Sequence, residues 1–350
     1  MVASLSIAGV TVGAGQRVFT IAELSANHGG SLDRGLETIR AAADAGASAI
    51  KLQTYRAESM TLDRDVAPFV LGASSPWAGR KLYELYEEAA TPWSWHEALF
   101  EEARKRGIAC FSSPFDLDAI DLLEKLDCPA YKIASFEIGD LELIAAAAAT
   151  GKPLIISTGM ASTDEIDDAV QAARGAGGGG VALLRCNSSY PAPSDEMDLA
   201  TIPDMAQRWQ CPIGLSDHTL TSTASITATA MGAVLIEKHF ILDRADGGPD
   251  AAVSVEPGEF RALVDAVDDA RRAVGEIRYG PTASEAPSLA LRRSLWVVAD
   301  VRRGEAFTNA NVRAIRPAGG LAPKHASDVI GKTAKDDVPA GTPVSWALLD

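Results

Sequence analysis

The sequence predicts an α/β fold: a (β/α)8, or TIM, barrel followed by a small β-rich domain. Eight short β-rich runs alternate with helical patterns over about 250 residues, which is the strand count and the length of such a barrel. Polar residues stand at nearly every strand end, where barrel enzymes place their active sites. A doubly wound sheet is the alternative, and the count of eight together with the polar strand ends favours the barrel.

The predicted strands all lie within the first 240 residues. They are residues 19–26, 49–54, 108–114, 130–135, 153–159, 181–187, 211–217 and 233–240. The helical patterns between them tend to begin at Ser, Thr or Asp and to end at Gly, as helix caps require. The last helix is predicted at about 256–277. Residues 1–18 alternate weakly and turn at Gly9 and at 13–15, which indicates a leading hairpin.

The chain changes character after the last predicted helix. Residues 1–280 are predicted to form the barrel domain, and residues 281–290 form a linker rich in Pro and Ser. Residues 291–350 contain short β runs, Gly turns and no long helix, so we expect a separate small domain. The run GAGGGG at 175–180 resembles a phosphate loop, but it lacks a following Gly-Lys-Ser/Thr and precedes a strand. It is interpreted as a flexible connection between a helix and a strand.

The composition excludes several classes of protein. The formal net charge is −15 at pH 7, which argues against a nucleic-acid-binding surface. An anionic substrate would therefore have to be attracted by local basic groups. The four cysteines are scattered without a CxxC pair, as expected for reduced thiols. The segment MVASLSIAGVTVGAG lacks the features of a signal peptide, and no apolar run is long enough to span a membrane. We expect a soluble, cytoplasmic protein without a nucleic-acid or membrane partner.

Two of the five histidines stand at the ends of the last two predicted strands. They are His218, beside Asp217, and His239, near Glu237. Neighbouring parallel strands would place both imidazoles at one rim of the barrel. Two histidines with oxygen donors suit Mn²⁺, Co²⁺, Fe²⁺ or Mg²⁺ better than a closed zinc site. Hydrogen-bonded rim histidines are the alternative. His96 lies in a helical pattern and is interpreted as a surface residue.

Two lysines lie inside apolar strands, where a charge is costly unless it is paired. They are Lys51 and Lys132, and Gln53 shares the inward face of Lys51. An internal ion pair with Glu23 or Glu237 is one explanation. An anion clamp is another, because two lysines and a ring of Ser and Thr suit a phosphate or phosphoenol group. A Schiff base on Lys132 is a third option, which the histidines weaken. Glu23 is either a partner of a lysine or a general base that activates water near a metal.

One further segment, KLYELYEEAATPWSW, contains an aromatic stripe. It is interpreted mainly as helix packing, with the lining of a rim as the alternative. A binding protein without catalytic activity is also considered, but a polar ring at eight strand ends would have no purpose there.

Several segments resemble the sialic-acid synthase family. They are IAELSANHGGS, AIKLQTY, FSSPFD, AYKIASFEI, IISTGMA, SSYPAP, GLSDHT and IEKHF. The wording of ELSANH and SSYPAP resembles its pseudaminic acid synthase branch in particular. The C-terminal segments RRSLWVVADVRRGEAF and VPAGTPV are similar to the antifreeze-like (SAF) domain that these enzymes carry. Together these motifs cover essentially the whole chain.

The resemblance implies a reaction between phosphoenolpyruvate and the open-chain aldehyde of an acetamido sugar. Phosphate would leave by C–O cleavage, and a nonulosonic acid would form. The branch implies a 2,4-diacetamido-2,4,6-trideoxy hexose, with N-acetylneuraminate or legionaminic acid synthesis as alternatives within the family. The family also implies a divalent metal, Mn²⁺, Co²⁺ or Mg²⁺. It further implies a homodimer in which the SAF domain of one subunit caps the barrel of its partner.

Matching motifs assign roles to individual residues. His218 and His239 would bind the metal, and Glu23 would act as base on the attacking water. Phosphoenolpyruvate would be held by Lys51, Ser112, Lys132, Ser135, Ser188, Tyr190 and Ser216. The sugar would be contacted by Gln53, Glu137 and Asp250, and by Arg316 of the neighbouring subunit. Three positions depart from the family pattern, with Gly29 where Asn is common, Asn187 where Thr is common and Val255 where Leu is common.

Overall fold

Eight parallel strands close into a barrel, in the order β10-β3-β4-β5-β6-β7-β8-β9, and this confirms the predicted fold. The computed structural model describes residues 4–72 and 78–350, and the chain divides into two units, Met1–Gly275 and Glu276–Asp350. The barrel strands are β3 (Phe19–Glu23), β4 (Ala49–Thr54), β5 (Ala109–Pro114), β6 (Tyr131–Ile133), β7 (Leu154–Ser157), β8 (Val181–Cys186), β9 (Ile213–Asp217) and β10 (Leu235–His239). Each neighbours the strand that follows it along the chain, as right-handed βα units require.

Helices lie between the strands of the first unit. They are α1 (Leu32–Asp44), α2 (Ala57–Met60), α3 (Leu82–Ala89), α4 (His96–Arg106), α5 (Leu117–Lys125), α6 (Leu141–Ala149), α7 (Thr163–Gly175), α8 (Thr201–Trp209), α9 (Thr223–Ala230) and α10 (Pro257–Val274). Short 3₁₀ helices occur at Trp93–Trp95, Ser135–Glu137, Ser194–Glu196, Arg244–Asp246 and Ala251–Val253. None of the helices in the described ranges is long and apolar enough to cross a membrane. The cytoplasmic location stays a prediction.

Local sequence explains how a helix of the outer layer forms, and α7 is an example. Ser162 caps its N-terminus, and Glu165 returns a hydrogen bond to the backbone of Ser162, which completes a capping box. Ile166, Ala169, Val170 and Ala173 recur with helical spacing and are buried against the barrel. After α7 the chain enters β8 through the Gly-rich run. A side chain at Gly179 would collide with the backbone of Gly151, so the run permits close packing rather than phosphate binding.

Strand register decides which side chains enter the barrel. Lys51 pairs with Glu23, and Glu23 pairs with His239. Gln53 pairs with Ser113 on the next strand. Laterally paired residues of parallel strands point to the same side of the sheet, so these polar side chains lie together inside the barrel. The register therefore brings the ends of separate strands into one site.

The prediction that His96 lies on the surface is wrong. His96 is fully buried, because it begins the apolar stripe of α4 that continues at Leu99, Phe100 and Ala103. Its Nε2 lies 2.8 Å from the hydroxyl of Thr54, and its Nδ1 lies 3.2 Å from the carbonyl oxygen of Pro92. Burial lowers the pKa of His96 to about 4, so the imidazole is neutral at physiological pH. Its role is to bind α4 to the strand end of β4.

Smaller elements flank the barrel in the sequence. A hairpin of β1 (Ser4–Ile7) and β2 (Val10–Gly13) precedes it. The second unit contains antiparallel strands β11 (Ser294–Val297) and β12 (Val312–Ile315), helix α11 (Ala326–Val329), and 3₁₀ helices at Ala286–Leu291, Pro323–His325 and Trp346–Leu348. Its apolar core includes Leu295, Val297, Phe307, Val312 and Val344.

Candidate active site

A cavity of about 640 Å³ lies at the carboxyl ends of the barrel strands, within the usual size range of small-molecule sites. Most of the predicted site residues of the barrel line it. These are Glu23, Lys51, Gln53, Lys132, Ser135, Glu137, Tyr190, Ser216, His218, His239 and Asp250. The fold thus gathers side chains that are separated by more than 200 positions in the sequence.

The floor of the cavity is a cluster of buried charges. Lys51 Nζ lies 2.9 Å from Glu23 Oε2 and 3.0 Å from Glu237 Oε1, so the internal ion pair expected for Lys51 is present. Burial lowers the pKa of Lys51 to about 8, and Glu237 opposes this shift. Burial alone would raise the pKa of Glu237, but Lys132 and Lys51 hold it well below its usual value. The ammonium group of Lys51 and the carboxylate of Glu237 are therefore both charged at neutral pH.

Lys132 approaches the same carboxylate oxygen as Lys51, Oε1 of Glu237. Its Nζ lies 3.8 Å from Glu237 Oε1 and donates a hydrogen bond of 2.6 Å to Ser157 Oγ. Ser216 also donates to Glu237, at 3.1 Å. Glu237 thus holds two lysines and a serine around one point. This arrangement presents two ammonium groups and several hydroxyls to the cavity.

The two histidines of the strand ends lie close together, with ring centroids 5.4 Å apart. Tyr190 packs against both rings, at 4.2 Å from His218 and 5.8 Å from His239. His218 Nδ1 lies 2.7 Å from the carbonyl oxygen of Asn187, which can only accept, so Nδ1 carries the proton and Nε2 is left for a ligand. Burial lowers the pKa of His239, so its imidazole is neutral at physiological pH.

These two imidazoles fit a partly open divalent-metal site. Nδ1 of His239 and Oε2 of Glu237 are buried without a hydrogen-bond partner within residues 4–72 and 78–350. Buried polar atoms are normally satisfied, and a bound ion is one explanation for such exceptions. No group of three or more His, Cys, Asp or Glu side chains in the described part of the chain is arranged to hold a metal alone. Two protein nitrogens would leave coordination positions for water or substrate.

Asp217 and Lys238, which flank the two histidines in the sequence, point away from the cavity. They form a buried ion pair of 3.0 Å on the outer side of the barrel. Lys238 Nζ also donates to the carbonyl oxygen of Thr219 at 2.6 Å, and Asp217 accepts from the hydroxyl of Ser225. Asp217 is therefore no oxygen donor beside His218, contrary to the pattern read from the sequence. The pair instead fixes the strand ends that carry His218 and His239.

The structure separates Ser112 from its neighbour Ser113. Ser112 points outward and bonds the hydroxyl of Thr54 at 2.6 Å, whereas Ser113 is one of the described residues that line the cavity. Ser113 Oγ is buried and finds no hydrogen-bond partner in the described ranges. Ser113 rather than Ser112 faces the cavity because Ser113 pairs with Gln53, whose side chain also faces it. Alternation along β5 predicts that only one of the two serines faces inward, and the register against β4 is needed to tell which one.

Other hydroxyl and thiol groups of the barrel strands also border the cavity. Ser157 and Cys186, to which no role was assigned from the sequence, also line the cavity. Ser188, which was predicted to hold phosphoenolpyruvate, is not among the described residues that line it. Gly159 N donates to Ser135 Oγ at 3.1 Å, and a side chain at Gly159 would collide with the hydroxyls of Ser135 and Ser188. Gly159 thus leaves room for these hydroxyls.

The thiol of Cys186 lies at the junction of this side with the histidines. Its Sγ is 3.8 Å from Nδ1 of His218. Burial would raise the pKa of Cys186, but His218, Ser135 and Lys132 lower it to about 7. The electropositive surroundings of the thiol are those that an anionic ligand would need.

A second polar group lies on the side of β3 and β4. Gln53 Nε2 donates to Ser25 Oγ at 3.1 Å, and Ser25 Oγ donates to Asp250 Oδ2 at 2.5 Å. Glu137 follows β6, and burial raises its pKa, an effect that Lys132 opposes. Arg316 belongs to the second unit, where it is exposed and directly follows β12.

Comparisons with known proteins show the family to which the chain belongs. The model of the NeuB family matches residues 38–279, and the model of the SAF domain matches residues 292–350. The chain therefore belongs to the NeuB family and carries a SAF domain, which confirms the resemblance found in the sequence.

Individual relatives match nearly the full chain. A pseudaminic acid synthase of Campylobacter jejuni is 41% identical over 326 residues, which cover 93% of this chain and 95% of that protein. A pseudaminic acid synthase of Helicobacter pylori is 42% identical and covers 93% of this chain and 96% of that protein. A crystal structure of N-acetylneuraminic acid synthetase from Leptospira borgpetersenii has a TM-score of 0.74 and 32% identity, covering 83% of this chain and 96% of that chain.

We expect the Asp217–Lys238 pair to control metal affinity by positioning His218 and His239. The double substitution Asp217→Asn and Lys238→Met removes both charges at once, so no unpaired buried charge is left. Isothermal titration of the metal-free protein with Mn²⁺ should show binding that is weaker by about 10- to 100-fold, the usual cost of losing an outer-shell partner.

Two controls accompany this titration. His239→Ala should abolish binding, and the circular dichroism spectrum should show that every variant is folded. A folded double variant that binds Mn²⁺ as tightly as the wild type would show that the pair does not position the histidines.

Proposed function

We propose that the protein condenses phosphoenolpyruvate with the open-chain aldehyde of an acetamido sugar to form a nonulosonic acid and phosphate. One observation carries this proposal: two buried lysines, a ring of serines and two histidines face one cavity of suitable size. The ammonium groups of Lys51 and Lys132, with the hydroxyls of Ser113, Ser157 and Ser216, suit a ligand with several anionic oxygens. Membership of the NeuB family supports the same reaction.

The charge balance of the cavity explains why a cation is needed as well. The charges of Lys51 and Lys132 are already balanced by Glu23 and Glu237. Phosphoenolpyruvate would bring between about −2.5 and −3 charges near neutral pH. A divalent cation held by His218 and His239 would supply compensating charge and would polarise the oxygen of the aldehyde or of water.

The chemistry requires one new carbon–carbon bond and one broken carbon–oxygen bond. C3 of phosphoenolpyruvate attacks C1 of the aldehyde, whose oxygen takes up a proton as it becomes a hydroxyl group. Water adds to C2, and its proton goes to the carboxylate of Glu23. That carboxylate is oriented by Lys51 and by the backbone N–H of Ser25 at 3.1 Å. The bond from C2 to the phosphate oxygen then breaks as the C2 hydroxyl group becomes a carbonyl, and phosphate leaves with the electron pair of that bond and with the hydroxyl proton. Lys51 and Lys132 stabilise the negative charge of the leaving group.

We propose that Gln53, Glu137 and Asp250 bind the sugar. They line the cavity beside the charged floor, and their acceptors suit the hydroxyl and amide N–H groups of an acetamido sugar. The 41% identity with a pseudaminic acid synthase supports a 2,4-diacetamido-2,4,6-trideoxy hexose as the substrate. Synthesis of N-acetylneuraminate or legionaminic acid is the alternative within the family. A Schiff-base aldolase is less favoured, because Lys132 Nζ is hydrogen-bonded to Ser157 and lies beside Glu237.

The reaction can be tested with phosphoenolpyruvate, Mn²⁺ and a panel of 2-acetamido and 2,4-diacetamido hexoses. We expect phosphate release that depends on the sugar, is lost with a chelator, and has its highest kcat/KM with the 2,4-diacetamido-2,4,6-trideoxy sugar. A higher kcat/KM with N-acetylmannosamine would contradict the pseudaminic branch. Borohydride trapping of a sugar or pyruvate adduct on Lys132 would instead support an aldolase.

Ser113 and Ser112 form a matched pair of variants for the phosphoenolpyruvate site. Ser113→Ala should raise the KM for phosphoenolpyruvate by about tenfold or more, because it removes a hydrogen bond to a charged ligand. Ser112→Ala should leave this KM nearly unchanged, since its hydroxyl bonds Thr54 outside the cavity. Steady-state kinetics with phosphoenolpyruvate varied at saturating sugar separate the two. Equal effects of both substitutions on KM would argue against the assignment of Ser113.

We also propose a homodimer in which Arg316 reaches the barrel of the partner subunit. The second unit is small, so docking against another surface would stabilise it. Arg316 is exposed and forms no ion pair within the ranges that the structure describes. A guanidinium group is suited to the acidic mouth formed by Glu137 and Asp250.

Mixing of two inactive variants tests this assembly. Arg316→Ala alone should cost about 2 kcal/mol or more in kcat/KM, as for a lost hydrogen bond to a charged group. If Arg316 acts on the partner, mixing Arg316→Ala with His218→Ala subunits restores about a quarter of the sites, since half of the dimers are mixed and each has one intact site. Mixing that restores no activity, although subunits exchange, would show that Arg316 acts within its own chain.

A further inference from the structure

One wall of the cavity is apolar, and it is provided mainly by the segment between β4 and α4. In α3, Leu82, Leu85, Tyr86 and Ala89 recur at the spacing of one helix face, and all four line the cavity. None of the residues of α3 is buried, and the other face of the helix carries the exposed residues Glu84, Glu87 and Glu88. The apolar face of α3 therefore borders the cavity rather than the hydrophobic core of the barrel.

Aromatic side chains of the barrel continue this surface. Tyr55 follows β4, is buried, and meets Tyr86 edge to face with ring centroids 5.9 Å apart. Phe115 meets the other edge of Tyr55 at 5.2 Å. We call Tyr55, Leu82, Leu85, Tyr86 and Phe115 the apolar wall. Contacts between the rings of Tyr55, Tyr86 and Phe115 hold these three side chains in place, and a surface that discriminates between ligands needs such fixed positions.

The apolar wall lies on the side of the cavity where the sugar is proposed to bind. Burial raises the pKa of Tyr55, and the nearby carboxylate of Asp250 adds to this shift. Burial likewise raises the pKa of Tyr86, with a further contribution from Glu137. Asp250 and Glu137 are the carboxylates proposed to contact the sugar. The wall and these two carboxylates line the same cavity.

The direction of the sugar follows from the chemistry. C1 of the aldehyde must meet phosphoenolpyruvate at the charged floor formed by Lys51, Lys132 and Glu237. The other end of the sugar, from C4 to C6, then extends into the part of the cavity that the wall borders. A hydroxyl group placed against Leu82, Leu85 or Phe115 would lose its contact with water without gaining a hydrogen-bond partner, which is costly.

We infer that the apolar wall is the specificity-determining surface of this site, and that it binds the methyl groups of the C4 acetamido group and of C6 in a deoxygenated sugar. This inference rests on the proposed function and assigns residues to its substrate preference. One methyl-sized contact in an apolar pocket contributes about 10- to 200-fold in kcat/KM. Two such contacts are enough to separate a 2,4-diacetamido-2,4,6-trideoxy hexose from a fully hydroxylated 2-acetamido hexose.

The experiment compares two sugars of the same configuration, the 2,4-diacetamido-2,4,6-trideoxy hexose and the 2-acetamido hexose with hydroxyls at C4 and C6. Wall variants Leu82→Asn and Leu85→Asn are measured beside Leu62→Asn. Leu62 lies in the same segment, is 58% exposed and does not line the cavity among the residues described, so it is a matched control. The wall variants should lower the preference for the trideoxy sugar at least tenfold, whereas Leu62→Asn should keep it.

Further readouts separate specificity from structure. The KM for phosphoenolpyruvate should stay near the wild-type value in both wall variants. The variant Leu85→Met, which nearly conserves volume and polarity, should retain the wild-type preference for the trideoxy sugar. Equal losses of kcat/KM with both sugars would overturn the inference. A fall in preference that occurs only in variants whose oligomer dissociates, as measured by sedimentation, would also overturn it. A wild-type enzyme that does not prefer the trideoxy sugar would contradict the proposed pseudaminic branch itself. That result appears before any variant is measured, so the two failures are distinguishable.

Discussion

The site depends on the buried contact between Glu237 and two lysines. Lys51 and Lys132 are almost completely excluded from solvent, and an unpaired charge in such a place would cost several kcal/mol. Glu237 lies 3.0 and 3.8 Å from their ammonium groups, and Glu23 completes the cluster. Because each member comes from a different strand, the cluster also fixes those strand ends relative to one another. The same buried charges are thus preorganised for the anionic substrate that we propose.

Side chains alternate along β9 and β10, so that one set faces the inside of the barrel and the other set faces outward. Glu237 and His239 point into the cavity, whereas Lys238 between them points outward and pairs with Asp217. A shift of one residue in register would exchange these sets and would bury the wrong charges on both sides. The outer ion pair lies between strand ends that carry His218 and His239, and we expect it to restrict movement of these two side chains.

The cavity combines two kinds of surface that serve different parts of a reaction. Its charged floor comes from strand ends, which are held by backbone hydrogen bonds on both sides and vary little in position. Its apolar wall comes largely from α3, an insertion between a strand and the following helix that contributes none of its residues to the buried core. The residues of the apolar wall can therefore be substituted without changing the charged floor.

The sequence by itself determined the barrel, the two lysines and the two histidines, because strand and helix periodicity and costly buried charges are local signals. It also identified the family through motifs such as SSYPAP and GLSDHT. The tertiary structure alone decided that Ser113 rather than Ser112 faces the cavity, that His96 is buried and that Asp217 points outward. The physical reason is that alternation has a period of two, so its phase is fixed only when the register against the neighbouring strand is known. The stripe of α3 likewise needed the fold to show that its apolar face borders the cavity instead of the core.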